Sequence, residues 1–180
     1  PLIHAANSAA AIALPETHLN MVRVGLAGYG YNPFDPGHDQ YEVAQQDFKP
    51  ILSLATQLVF VRNIAPGESV GYNRRWVAER PSTVGLLPVG YGDGWRRSPQ
   101  NAGQVLVGGQ VVPIIGSVAM DQTIIDLTDT EGVKVGDAVV LIGQQGEHAL
   151  TVDDVAAAYG TINYEVVTAL SDRISRVYKD

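Results

Sequence analysis

The chain has 180 residues, of which 46% are hydrophobic, and its 12 basic and 19 acidic side chains give a net charge of −7. This acidic balance excludes a nucleic-acid surface, which needs clustered lysine and arginine, and the hydrophobic content excludes a disordered chain. Because the chain has no cysteine and no long apolar run, we expect a cytoplasmic protein without membrane contact or bound metal.

Residues 1–46 carry short apolar segments broken by proline and glycine. Residues 21–30 form an apolar run that enters a glycine-rich loop, which is typical of a strand end in an α/β barrel. The chain starts without an initiator methionine or a capping signal, so we expect it to begin inside an element. Because this segment alone would expose apolar surface, we expect it to be rearranged, loosely packed or buried by another chain.

From residue 47 onward, the pattern predicts a mainly β domain, a small antiparallel barrel or sandwich with one or two short helices. The predicted strands are 52–62, 83–89, 104–107, 110–115, 118–127, 138–142 and 174–178. Gly108 and Gly109 predict a two-residue hairpin because both tolerate positive φ. Thr151 and Gly160 bound one predicted helix, and residues 163–170 form another.

Several residues are candidates for a site, although each also has an ordinary structural explanation. Ser8 lies among small residues that let a phosphate approach the backbone. Arg23 is a lone guanidinium in an apolar run and needs a partner. Glycines on both sides of Tyr91 leave its ring and backbone accessible. Three further candidates fit ordinary packing equally well: Tyr72, Met120 and Tyr164.

The candidate residues belong to motifs that follow one another along the chain. These are His-x-x-Asn-Ser-Ala-Ala from residue 4, Met-Val-Arg-x-Gly from 21, Val-Gly-Tyr-Gly-Asp-Gly-Trp from 89, Met-Asp-Gln from 120 and Thr-Ile-Asn-Tyr-Glu-Val from 161. In this combination they closely resemble the C-terminal half of bacterial alanine racemases. The resemblance implies the tail of a (β/α)8 barrel that binds pyridoxal 5'-phosphate over residues 1–46, and the C-terminal β domain over residues 47–180.

The resemblance also implies an activity and an assembly. Members of the family interconvert L- and D-alanine and work as homodimers with shared active sites. By this likeness, an N-terminal barrel segment is missing from the chain.

Cofactor-binding roles follow from the same resemblance. Four groups are implied to bind the phosphate: Ser8, Tyr164 and the amides of Gly25 and Leu26. Arg23 is implied to face the pyridine nitrogen. Because an arginine does not release its proton near neutral pH, the cofactor stays a weaker electron sink and transamination is suppressed. His4 matches at most a supporting neighbour.

The resemblance makes Tyr72 one of two catalytic bases. It exchanges the α-proton on one face of the substrate and serves the barrel of the other subunit. The amide of Met120 is implied to meet the substrate carboxylate, and Tyr91 to line a pocket sized for a methyl group.

Two positions depart from the family pattern. The second base is a lysine that also binds the cofactor covalently, but none of the lysines here lies in a matching context: Lys49, Lys134 and Lys179. Relatives commonly have arginine at the position of Ser117, so the positive charge that would help Tyr72 has to come from elsewhere, with Arg74 and Arg75 as candidates. We therefore expect this chain alone to be inactive.

Three other functions stay open. One is a racemase that prefers another small amino acid, such as serine. Another is a decarboxylase of basic amino acids, although such enzymes generally place a cysteine over the substrate and this chain has none. The third is an isolated β domain that acts only as an interaction module.

Overall fold

The computed structural model describes residues 1–34, 37–45, 48–97 and 99–179. The chain forms two compact units, Pro1–Leu52 and Ser53–Asp180. The predicted domain boundary between residues 46 and 47 lies outside the described residues. No helix in the described ranges is long and apolar enough to cross a membrane.

Short helices dominate the first unit. They are the α-helices α1 (Ser8–Ala13) and α2 (Tyr41–Gln45), and 3-10 turns at Pro15–Thr17 and Leu26–Tyr29. Helix α1 begins where the side chain of Asn7 accepts a hydrogen bond from the N–H of Ala10 at 2.9 Å. This bond satisfies one of the amides that the first turn of a helix leaves unpaired.

Strand pairing among the described residues of this unit is limited to a parallel bridge between His4 and Met21. Neighbouring strands of an α/β barrel pair in this parallel sense. The predicted run 21–30 therefore pairs only at its first residue. Large apolar side chains on either side of the bridge are exposed: Leu2, Ile3, Val22 and Val24. These described residues by themselves leave apolar surface exposed.

The second unit is mainly β, as predicted. Its strands are β1 (Leu54–Gln57), β2 (Phe60–Ile64), β3 (Ser69–Val70), β4 (Trp76–Val77), β5 (Ser82–Leu87), β6 (Gln104–Val107), β7 (Gln110–Ile115), β8 (Thr123–Asp126), β9 (Ala138–Gln145) and β10 (His148–Leu150). Its helices are α3 (Val152–Tyr159) and α4 (Asn163–Ala169). The pairings among these strands are antiparallel.

The main sheet curls into a half-barrel. Its strand order is β1-β9-β6-β7-β8-β5-β2, with β10 added beside β9, so the consecutive strands β1 and β2 lie at opposite ends. Between them, Leu58 donates to the carbonyl of Asp137 at 2.9 Å and accepts from the N–H of Gly136 at 2.7 Å, while Val59 donates to the carbonyl of Leu86 at 3.0 Å. Leu58 thus extends the pairing of β1 with β9, Val59 extends the pairing of β2 with β5, and the chain itself runs from one end of the order to the other. The mainly β, antiparallel half-barrel confirms the predicted fold class.

A close-packed core lies inside the curl. Burial of each large aliphatic side chain contributes about 1.5–3 kcal/mol to folding. The fully buried side chains include Leu58, Leu87, Leu106, Ile114, Ile125, Leu141, Ile142 and Val152.

The hairpin and helix predictions are confirmed. Gly108 and Gly109 connect β6 to β7 with φ of 59° and 75°. The hydroxyl of Thr151 accepts from the N–H of Asp154 at 3.0 Å at the start of α3, and Gly160 ends that helix with φ of 64°.

Three strand predictions need correction. The predicted strand 52–62 is two strands, β1 and β2, which pair with different neighbours at opposite ends of the sheet. Within 118–127 only Thr123–Asp126 forms a strand, because the first half is a loop. The predicted closing strand at 174–178 is wrong: the described residues there pair with no strand, and Arg176 instead pairs with Asp172 at 3.1 Å.

Candidate active site

In the first unit, two backbone amides meet at the hydroxyl of Ser8. The N–H of Gly25 donates to Ser8 Oγ at 3.0 Å and that of Ala27 at 3.4 Å. The N–H of Leu26 has no acceptor among the described residues. An added Cβ at Gly25 would meet no atom within 4 Å, so the space beside it is open. A hydroxyl and amides around open space fit a phosphate monoester.

Arg23 is oriented by its own unit. Its Nη1 lies 2.9 Å from Nδ1 of His4 and donates to the carbonyl of Ala5 at 3.1 Å, and its backbone N–H donates to Ala6 at 2.9 Å. A guanidinium can only donate, so Nδ1 of His4 is the acceptor of this hydrogen bond. These contacts leave an exposed cation held in one direction.

Tyr72 lies in a strained loop of the second unit. It starts a 3-10 turn after Gly71, and left-handed backbone follows at Asn73 and Arg74, with φ of 62° and 51°. Non-glycine residues in this region cost energy and concentrate at functional sites. The loop presents Tyr72 with 68% of its surface exposed.

Tyr72 lines a cavity of about 350 Å³ in the second unit. The other lining residues are Gly71, Ser117, Ala119, Gln122 and Ile124. Ser117 is buried. Arg74 donates to the hydroxyl of Ser69 at 3.0 Å, and Arg75 contributes its carbonyl to Asn101. Among the described residues, neither guanidinium forms a hydrogen bond with the Tyr72 phenol.

Tyr91 and Met120 lie in two adjoining loops, which we call the tyrosine loop (residues 90–94) and the methionine loop (residues 119–122). Tyr91 donates to the carbonyl of Ala119 at 3.0 Å, and Gly92 donates to that of Met120 at 2.8 Å. A Cβ at Gly90 would overlap both of these carbonyl groups. Glycine is therefore required here for the two backbones to approach each other.

The bond to Ala119 also sets the direction of the Met120 amide. The C=O of Ala119 and the N–H of Met120 belong to one planar trans peptide and point in opposite directions. Because Tyr91 holds the C=O, the N–H points away from the tyrosine loop. Among the described residues it has no acceptor, and Met120 is 52% exposed. Such an amide can bind an anion such as a carboxylate.

Charged residues that the sequence reasoning missed surround these loops. Asp93 accepts from the N–H of Gly90 at 2.9 Å and pairs with Nε of Arg173 at 3.3 Å. Arg173 also pairs with Asp121. The hydrogen bond to Asp121 and the charges of both carboxylates raise the pKa of Arg173, so it stays a cation. The partners are far apart in sequence, so no local pattern indicates this network.

Tyr164 lies in the first turn of α4 and is exposed. Its neighbour Glu165 pairs with Arg96 and accepts a hydrogen bond from Thr161. The Thr161 hydroxyl and then Arg96 lower the pKa of Glu165. These contacts tie the start of α4 to the segment that follows the tyrosine loop.

Comparison with known proteins identifies the family. The family description "Alanine racemase, C-terminal domain" matches residues 51–178, and "Alanine racemase, N-terminal domain" matches residues 1–33. Alanine racemase 1 of Clostridium acetobutylicum is 42% identical over 175 residues, covering 97% of this chain and 44% of that protein. Racemases are isomerases, and the chain belongs to the alanine racemase family.

Solved structures agree in fold. Biosynthetic alanine racemase from Pseudomonas aeruginosa is 39% identical with a TM-score of 0.83, over 98% of this chain and 47% of that one. Alanine racemase from Bacillus anthracis with bound L-Ala-P is 36% identical with a TM-score of 0.84, over 95% of this chain and 43% of that one. The chain therefore spans a little under half the length of the relatives it matches.

Proposed function

We propose that these residues supply part of the active site of a pyridoxal 5'-phosphate-dependent racemase that interconverts L- and D-alanine in a homodimer. The observation that carries the proposal is the pair of loops in the second unit, where backbone bonds turn the Met120 N–H outward beside Tyr91. Residues 1–46 would be the tail of the cofactor-binding barrel and residues 47–180 the C-terminal β domain.

The donors of the first unit fit the cofactor. Ser8 and the amides of Gly25 and Leu26 would hold the phosphate, with Tyr164 as a further donor. Arg23 would donate to the pyridine nitrogen and keep it unprotonated, which favours racemisation over transamination. The bound cofactor withdraws electrons from the α-carbon of an amino acid and so acidifies its α-hydrogen.

Substrate binding falls to the tyrosine and methionine loops. The outward N–H of Met120 would bind the carboxylate of alanine, because a charged acceptor strengthens such a hydrogen bond. The ring of Tyr91 would limit the side-chain pocket to a methyl group. Both loops, together with Tyr72, would serve the cofactor site of the other subunit.

Proton transfer at one face would fall to Tyr72. The cavity beside its loop leaves room for the phenol to turn toward a substrate. A racemase needs a second base on the opposite face, which in this family is a lysine. The lysines of the chain are all exposed and outside that motif: Lys49, Lys134 and Lys179.

The proposal is tested by comparing two samples with added pyridoxal 5'-phosphate: the protein as its gene encodes it, and the 180 residues alone. We expect the encoded protein to racemise alanine faster than serine, and the 180 residues alone to be inactive. Chiral chromatography of the product measures both. Turnover by the 180 residues alone would contradict the need for a second base. A faster rate on serine than on alanine would overturn the assignment of alanine as the substrate.

A further inference from the structure

Arg173 lies between two carboxylates that belong to different loops. Its Nε is 3.3 Å from Oδ1 of Asp93 in the tyrosine loop, and its Nη2 pairs with Oδ1 of Asp121 in the methionine loop. The side chain of Asp93 is only 12% exposed, whereas those of Arg173 and Asp121 are about half exposed. One guanidinium therefore joins the tyrosine loop to the methionine loop, which carries the outward Met120 amide.

A third segment, at Ser171, forms two hydrogen bonds with the tyrosine loop. Ser171 donates from its backbone to the carbonyl of Asp93 at 3.0 Å, and from its hydroxyl to the carbonyl of Gly92 at 3.2 Å. A Cβ at Gly92 would collide with the guanidinium of Arg173. Glycine at this position thus allows the cation to lie directly against the tyrosine loop.

We propose that Arg173 is a positioning residue for substrate binding: by bridging Asp93 and Asp121, it keeps the tyrosine loop bonded to the methionine loop and so fixes the direction of the Met120 N–H. The inference rests on the proposed function for the role of Met120. The planar fork of arginine presents donors to two carboxylates at once, which the single ammonium of lysine does less well.

The contact between the tyrosine loop and the methionine loop is tested by amide hydrogen exchange of the encoded protein. This measurement does not depend on enzymatic activity. We expect Arg173→Gln to speed exchange at the amides of Tyr91 and Gly92 by about tenfold, the change that loss of a charged hydrogen bond produces. Arg176→Gln is the matched control, because Arg176 has the same 51% exposure. Among the described residues its guanidinium contacts the nearby Asp172 and the carbonyl of Leu170, and neither the tyrosine loop nor the methionine loop. Unchanged exchange in Arg173→Gln would overturn the proposal.

Kinetics test the consequence for substrate. We expect Arg173→Gln to raise KM for alanine about fivefold to tenfold with kcat within about threefold, Arg173→Lys to recover part of the loss, and Arg176→Gln to match the parent. Asp121→Asn removes one ion pair only and replaces Arg173→Gln if that variant does not fold. If the parent is active and the KM for alanine is unchanged in these variants, the inference about Arg173 is overturned and the proposed function is not affected. An inactive parent would overturn the proposed function, while the exchange result would still decide the loop contact.

Discussion

Gly90 has a reason to be glycine that the sequence pattern did not indicate. The pattern suggested that glycines beside Tyr91 leave its ring accessible. In the structure, Gly90 lies against the carbonyl groups of Ala119 and Met120, where a side chain would collide with backbone. A sequence shows that a position lacks a side chain, but it does not show which distant backbone fills the space.

A Gly90→Ala substitution is expected to force the two loops apart. Because the obstacle is backbone, we expect the free energy of unfolding to fall by about 1–3 kcal/mol, measured by urea denaturation. Gly109→Asn is the control: its φ of 75° suits asparagine and its surroundings are open, so its stability should change by less than about 0.5 kcal/mol. Equal stability of the two variants would contradict this role of Gly90.

Among the elements, those with local signals were predictable and those that depend on distant partners were not. The hairpin at Gly108 and Gly109 and the capped helix α3 carry their signals within a few residues. The predicted strand at 174–178 contains the β-branched and aromatic residues Ile174, Val177 and Tyr178, but a strand also needs a neighbouring strand to pair with. The contacts of Arg173 were equally hidden, because its carboxylate partners lie on loops far away in sequence.

Helix α3 contains a buried hydroxyl that can be removed. The hydroxyl of Tyr159 has no hydrogen-bond partner in the described part of the chain, while its ring makes an edge contact with Trp95 at 5.6 Å between centroids. Since an unpaired buried polar group is costly, Tyr159→Phe is expected to raise the free energy of unfolding by up to about 1 kcal/mol. Tyr178→Phe, at a position 90% exposed, should change nothing. A less stable Tyr159→Phe variant in thermal denaturation would contradict this account.

The same tyrosine should make stability fall at high pH. Burial raises the pKa of Tyr159 well above its ordinary value. Above about pH 10 the unfolded chain releases this proton while the folded chain keeps it, so rising pH favours unfolding, and below that pH the contribution is fully present. We expect Tyr159→Phe to lose less stability than the parent between pH 9 and 11. Parallel pH profiles of unfolding free energy for the two proteins would contradict this.

At the scale of the molecule, the two units differ in how well they bury their apolar side chains. The half-barrel encloses its own core, including Leu106 and Ile125. Within its described residues, the first unit has one parallel bridge and exposes apolar residues such as Leu2 and Ile3. The pattern of apolar runs separated by turn residues predicted the mainly β part well, because these turn and strand signals are local. Motif spacing alone did not indicate that Ser8 and Gly25 meet, because the fold brings them together; only the resemblance to a family grouped them.

The central claim is that Tyr72 acts as the base at one face of alanine, and solvent exchange tests it most directly. In deuterated water with pyridoxal 5'-phosphate, we compare the encoded protein with its Tyr72→Phe variant, with Tyr178→Phe as control, and follow the α-hydrogen of L- and D-alanine by proton NMR. We expect Tyr72→Phe to slow exchange from one enantiomer by about 100-fold or more, while exchange from the other continues through the remaining base. Exchange from both enantiomers at the parent rate in Tyr72→Phe would contradict the account.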